Sequence, residues 1–292
     1  MQNAAANVNT GTRSSCNLAD EVQTVLSRLA DDKEDFVRSV YVQLQQAPAI
    51  VLYTQEQIAD IKQLCSKESP MSLRSVLCID RTFNLSSLYV TVMAFKNKKV
   101  VRKTSQEPPI FIGPMMLHGD GKFATYFHFF SAINAALNGT EVDSSELVCD
   151  GLITGSDEEQ AIVSAAKLAF STSNQLYCML HCKDNVRHHL TSVGTPTAAR
   201  ENVVAKLFGC SGVSEAIDDE TMDNRIAELL QYVRQTNIEA VEYLQERILP
   251  KVVNNNRLKW KEPWLGQHQW TNNNSESANH LLKLQVIVCL KQ

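Results

Sequence analysis

The chain has no surplus of basic charge. Its formal net charge is -4, which excludes a simple DNA-coating body and leaves any nucleic-acid contact to local patches. No apolar run approaches the roughly 18 residues that a membrane-spanning helix needs, so no membrane partner is expected. Residues 1–17 lack a basic stretch followed by an apolar one, which excludes a secretory signal. They are polar and small and read as a disordered leader. No internal repeat stands out, and there is no zinc-finger or helix-turn-helix pattern of the kind that reads a DNA sequence. Eight cysteines are scattered rather than spaced as a framework. Several, such as Cys78, Cys149 and Cys289, sit in apolar runs, as reduced, buried thiols of an intracellular protein do.

What is present is an ordinary globular composition, 44% hydrophobic and 21% charged, in a chain long enough for a large core. Residues 18–70 carry helical spacing, with Val22, Val25, Leu26 and Leu29 in one stripe and Thr54 as N-cap of a second helix over 56–64. After Pro70 the texture changes. Residues 75–80, 87–95 and 109–117 read as three strands with short connections, and Pro114 is expected near an edge or strand end. A helix over 126–137, a strand over 146–150, a helix over 158–170 and a strand over 176–181 follow. Short links argue for antiparallel neighbours first and parallel crossovers later. The expected architecture is α/β: a mixed five-stranded sheet flanked by helices, formed by residues 71–190 and completed by a helix over 271–292. Residues 191–270 are charge-rich and read as a helical insertion before that last helix.

Two aspartates end apolar runs, Asp80 and Asp150, and carboxylates at strand ends face the crevice where open α/β sheets bind ligands. Each alone also suits a turn or helix cap. Glu276 falls in the first turn of the last helix, where it either complements the helix dipole or brings a third carboxylate to the two aspartates.

The local motifs narrow the choice. Asp80-Arg81-Thr82-Phe83 resembles the first catalytic motif of the Mutator-like transposases. The run 112–118 followed by Tyr126-Phe127-His128-Phe129-Phe130 is similar to that family's third strand and next helix. Leu147-Val148-Cys149-Asp150-Gly151 looks like its second catalytic motif, Cys178-Met179-Leu180-His181 like its Cys-x-x-His signature, and Thr271 to Asn279 like its third motif, with Glu276 in the glutamate position. These landmarks occur in the family's order from Pro70 to the end of the chain. The resemblance implies an RNase H-like fold of the retroviral-integrase superfamily. It also implies cut-and-paste DNA transposition by a DDE transposase in which Asp80, Asp150 and Glu276 hold two Mg²⁺ or Mn²⁺ ions. Hard oxygen ligands suit such ions, and a pair about 3.5–4 Å apart activates the attacking and leaving oxygens of an in-line displacement. The implied partners are transposon ends and target DNA, the implied assembly a homo-oligomer, and the implied location the nucleus. Arg81 departs from the family, which often has glycine there. An arginine could bind phosphate or disturb the site, and the latter suits a domesticated or decayed transposase that binds DNA without catalysis.

Other residues carry weaker patterns. Cys178, His181 and Cys182 invite a zinc reading, but a closed structural site needs four ligands and only one pair is visible. His181 orienting substrate or a ligand, or simply sitting in the core, is the alternative. Lys96 to Lys103 is a basic turn. Arg257, Lys259, Trp260 and Lys261, with Trp264 and Trp270, interleave cations with aromatics and could grip phosphates and stack on a base, or could pack the insertion on the core. Lys283 is two helical turns beyond Glu276 and on its face, a position for end-DNA contact. A specific DNA-binding domain is expected outside this chain.

Overall fold

The computed structural model describes residues 23, 27, 36–42, 48–85, 88–139, 150–266 and 268–289, with backbone only for 82–85 and 283–289. Seven strands form one mixed sheet: β1 (Val37–Tyr41), β2 (Ala49–Leu52), β3 (Leu77–Leu85), β4 (Leu88–Lys96), β5 (Ile110–His118), β6 (Ile153–Ser156) and β7 (Asn174–Tyr177). Their order is β1-β2-β5-β4-β3-β6-β7. The pairs β1–β2, β2–β5, β5–β4 and β4–β3 are antiparallel, whereas β3–β6 and β6–β7 are parallel. The mixed sheet and its helices are as expected, but three of its strands are not: β6, and β1 and β2, which come from residues 18–70 that read as helical. The four-residue run Ala49–Leu52 is buried throughout, and so short an apolar run has no period to separate strand from helix. The helix after it conforms to expectation. Helix α1 (Gln55–Cys65) begins at Thr54, which forms a reciprocal capping box with Gln57.

Pro114 lies inside β5, a central strand, which its missing N–H would ordinarily forbid. Two features admit it. Pairing with β2 begins only at Met115, and the β4–β5 ladder shifts register between Val92 and Ala94, opposite this point. The proline occupies a bulge.

Side-chain alternation divides the core in two. Leu77 and Ile79 of β3, with Met93 and Phe95 of β4, face α2 (Phe123–Asn138) and α3 (Gln160–Ala169), where Phe129, Phe130, Ile133 and Ile162 complete a dry layer. Each such side chain contributes about 1.5–3 kcal/mol by leaving water. Val76 and Cys78 point the other way, with Ile153 of β6 and Leu176 of β7, toward Leu258 and Trp270. Thus even-numbered residues of β3 and odd-numbered residues of β6 share one face.

That face is roofed by the helical insertion and the last helix. The chain leaves β7 into α4 (Met179–Ser192), α5 (Thr197–Phe208), α6 (Asp219–Thr236), α7 (Ala240–Tyr243) and α8 (Leu249–Lys261), with a π-helical turn over Leu244–Ile248 between the last two. These build their own core around Leu190, Leu207, Leu229 and Ile248. Asparagines dock the insertion on the sheet. Asn255 donates to Tyr177 O and accepts from Tyr177 N, and Asn254 donates to Gln175 O. The outer edge of β7 is thereby satisfied by side chains, which removes an exposed pairing edge. Helix α9 (Asn273–Cys289) then returns across β3, β4 and β5. Among the described residues no helix is long and apolar enough to cross a membrane.

Candidate carboxylate and metal site

The register of β3 against β6 decides which aspartate stands beside Asp80. Leu77 is level with Thr154, Cys78 with Gly155 and Ile79 with Ser156, so continuing this register past the end of β6 brings Asp157 beside Asp80, where its charge acts on that carboxyl. Both belong to the face roofed by α9. Asp80 therefore lies within β3, four residues into it, where its parallel neighbour β6 ends.

The aspartate beside Asp80 is consequently Asp157, whereas Asp150 lies elsewhere. Asp150 precedes β6, in a turn continued by Gly151 at φ 73°, beside Lys67. About 13 Å of strand separates Ile153 from Asp157 at 3.3 Å per residue, so Asp150 lies at the opposite end of β6. The strand expected over 146–150 lies outside the described residues, apart from Asp150 itself.

Helix α9 brings a further carboxylate near Asp80. Asn279 donates from Nδ2 to Asp80 Oδ2 at 2.6 Å. Glu276 is one turn earlier on the same helical face, exposed, and near enough that its charge acts on Asp80. Burial pushes the Asp80 carboxyl up to about 7, and the charges of Asp157 and Glu276 add to the rise against the opposing bonds from Asn279 and the Arg81 backbone. Among the described residues no lysine or arginine forms an ion pair with any of these three carboxylates.

Asp157 is held from two sides. Asn272 spans the strands, donating from Nδ2 to Ile79 O at 3.1 Å and to Asp157 Oδ1 at 3.3 Å. His181 Nδ1 lies 3.0 Å from the same oxygen but without the alignment of a hydrogen bond. Burial raises the Asp157 carboxyl, partly opposed by His181 and Asn272. Cys178 is fully buried at the N-cap of α4, and its sulfur accepts from Asn272 N at 3.3 Å. One ligand atom from each of Asp157, Cys178 and His181 lies within 4.8 Å of the others, so this group could hold a metal ion. The expected strand over 176–181 stops at Tyr177. His181 therefore sits in the first turn of α4, which turns it toward Asp157.

The expected DNA contacts are mostly occupied elsewhere. Arg81, odd-numbered, faces away from Asp80. Its guanidinium is 3.1 Å from Glu159, bonds Tyr126 Oη at 3.3 Å and stacks over Tyr89, so it ties β3 to the helices behind the sheet. Arg257 pairs with Asp219, Lys259 Nζ donates to Ser214 O, and Trp260 Nε1 donates to Ala216 O; the tryptophan packs in the insertion core. Lys261 is exposed. The side chain of Lys283 lies outside the described residues.

Trp270 positions this region. Its ring covers Gly155 of β6 so closely that a Cβ there would overlap it, and its carbonyl accepts from Met179 N at 3.0 Å. Gly155→Ala should therefore lower stability by about 1–3 kcal/mol through overpacking. Because Asn272 follows two residues later, it should also weaken any metal binding that depends on Asp157. Urea unfolding reads the first effect, and an unchanged midpoint would refute the close-approach argument.

Sequence reasoning passed over Asp157, Asn272 and Asn279. The adjacent acids Asp157, Glu158 and Glu159 were visible, but nothing local distinguished Asp157 as the one at a strand end. No protein-family model matches the chain, and no curated protein matches it.

Proposed function

We propose that the chain is the catalytic core of a DDE-type DNA transposase with an RNase H-like sheet, using Asp80, Asp157 and Glu276 as its carboxylate trio. The observation that carries the reading is the convergence of these three acids, one within β3, one directly after its parallel neighbour β6 and the third from the last helix. The strand order β5-β4-β3-β6-β7, three antiparallel strands followed by two parallel ones, supports the RNase H-like assignment, with β1 and β2 as an added edge.

The donor set suits Mg²⁺ or Mn²⁺. It consists of hard oxygens, and burial together with the charges of Asp157 and Glu276 raises Asp80, a cost that a bound cation would offset. Bound ions would supply a deprotonated water or 3′-hydroxyl nucleophile and stabilise the departing 3′-oxygen. The protein's part is to hold the carboxylates still: Asn279 fixes Asp80, Asn272 fixes Asp157 against the carbonyl of Ile79, and Glu276 is exposed to solvent. The Arg81 departure does not argue for a decayed enzyme, because that side chain serves the opposite face.

The test is cleavage and end joining of duplex DNA carrying the element's ends, with supercoiled plasmid as a sequence-independent substrate, in Mn²⁺ or Mg²⁺. Asp80→Asn, Asp157→Asn and Glu276→Gln are each expected to cut the rate by at least about 100-fold, as loss of a preorganised electrostatic group does. Asp150→Asn should leave it within a factor of two or so. DNA binding without any metal-dependent cleavage would instead support the non-catalytic reading, and activity lost with Asp150 but kept without Asp157 would overturn the proposed trio.

A further inference from the structure

The Cys178–His181 pair lacks the second pair that a zinc site needs, and the fold supplies a third ligand from elsewhere. We propose that Asp157, Cys178 and His181 form a site for a borderline-soft divalent cation of the Zn²⁺ type, and that its occupation withdraws Asp157 from the carboxylate trio. The second half rests on the function proposed above, and the first does not.

Three features carry the site. The candidate ligand atoms lie within 4.8 Å of one another, a spread that small side-chain rotations close onto a single ion. The sulfur is fully buried at the start of α4 and receives the amide N–H of Asn272, so its surroundings donate to it as they would to a thiolate. His181 Nδ1 is shielded from solvent and 3.0 Å from Asp157 Oδ1, yet not aligned to hydrogen-bond it, as two ligands aimed at a common third point would be.

The ligand types then choose the ion. Thiolate and imidazole suit Zn²⁺ or Co²⁺ and are poor partners for Mg²⁺, whereas Asp80 and Glu276 on the other side of Asp157 are all-oxygen. Three protein ligands leave a position open on the ion. Asp157 is thus the hinge between a hard site and a softer one. An ion bound to Cys178 and His181 would fix its carboxylate by a direct bond and add positive charge where a second cation must approach.

Co²⁺ titration of the full, metal-free chain tests the site without any assay of DNA cleavage. A sulfur-to-cobalt charge-transfer band is expected. It should vanish in Cys178→Ser and persist in Cys182→Ser and in Asp80→Asn. Zn²⁺ should displace the cobalt, and His181→Gln and Asp157→Asn should each weaken Zn²⁺ binding by about 100-fold or more, beyond the 10–100-fold typical of residues that only support ligands. The His181→Gln arm keeps the test decisive if Cys178→Ser fails to fold, which circular dichroism would reveal. A band that survives Cys178→Ser, or Zn²⁺ affinity indifferent to both His181 and Asp157, overturns the site. Coupling is read separately as Zn²⁺ inhibition of Mn²⁺-dependent plasmid cleavage, expected in the native chain and relieved in Cys178→Ser. Equal inhibition of both proteins overturns the coupling, while a chain that cleaves nothing sinks the transposase reading and leaves the cobalt result standing.

Discussion

Asp80→Asn is expected to make the metal-free chain more stable at pH 8, by about 4 kcal/mol at most, and to leave it little changed near pH 4. Burial lifts the Asp80 carboxyl from 3.8 to about 7, and the Asp157 and Glu276 charges push in the same direction. A rise of about three units corresponds to about 4 kcal/mol at 1.36 kcal/mol per unit. Between these two values the folded chain binds the proton more tightly than the unfolded chain does. Stability from this group is therefore complete below pH 3.8 and is lost as pH rises through 7. Asparagine is nearly isosteric and carries no charge, and its amide oxygen can still accept from Asn279, so the variant keeps the contact and escapes the loss.

The same substitution should abolish the gain on adding metal. Thermal melts at pH 5 and pH 8, with and without Mn²⁺, give the full pattern. Native protein should melt higher with Mn²⁺ at pH 8. Asp80→Asn should melt higher than native without Mn²⁺ and respond little to it, a stability–function exchange typical of charged sites. A variant less stable than native at pH 8, or stabilised equally at both pH values, would show that Asp80 is not under electrostatic strain.

The parts of this site legible in sequence are those with local signals. Asp80 ends an apolar run, and the run needs no partner to be seen. Glu276 follows an asparagine-rich helix start, and the helices of the insertion announce themselves by period. Asp157 has no such signal. Its strand is four residues long and contains Gly155 and Thr154, a poor strand pattern that makes sense only because Trp270 must lie against the glycine. The apolar run before Asp150 reads as a strand in sequence and lies outside the described residues, so Asp150 carries the more conspicuous local signal. Register between β3 and β6 separates the two, and register is a tertiary property.

The asparagines make the same point. Asn254 and Asn255 complete a sheet edge 78 or more residues away in sequence, and Asn272 and Asn279 hold the aspartates that follow β6 and lie within β3. A polar amide in a helix looks like a solvent-facing residue until its partner strand is known. Arg81 illustrates the converse. Next to Asp80 in sequence it suggests a shared site, but strand alternation sends the two side chains to opposite faces, where Arg81 meets Glu159.

The second large effect is expected at the joint between the sheet and the insertion. Glu158 follows Asp157 directly, and its side chain is only 13% exposed. Lys251 of α8 reaches it at 2.6 Å, the Cys182 thiol donates to it at 2.9 Å, and Asn185 donates to its other oxygen. Burial would raise this carboxyl, but Cys182, Lys251 and Asn185 outweigh burial and hold it below its ordinary value. A depressed carboxyl contributes stability above its unfolded value of 4.5 and loses it as pH falls.

Lys251→Met removes the only full positive charge among the described partners of Glu158 and strands a carboxylate in a poor solvent. The expected cost at pH 7 is about 3 kcal/mol, the lower end for breaking a buried pair. The cost should shrink toward pH 4, where Glu158 can protonate. Pairing Lys251→Met with Glu158→Gln should recover most of the loss, because the neutral amide no longer needs a cation. Urea unfolding of the two single variants and the double variant at both pH values measures this cycle. If the single loss is below about 0.5 kcal/mol, the pair behaves as a surface contact, and among the described residues the Asn254–Asn255 bonds and the packing of Leu258 dock the insertion. If the loss is large, the insertion also sets the backbone that presents Asp157. In that case DNA cleavage should fall in Lys251→Met, although the lysine belongs to no step of the chemistry, and return in the double variant.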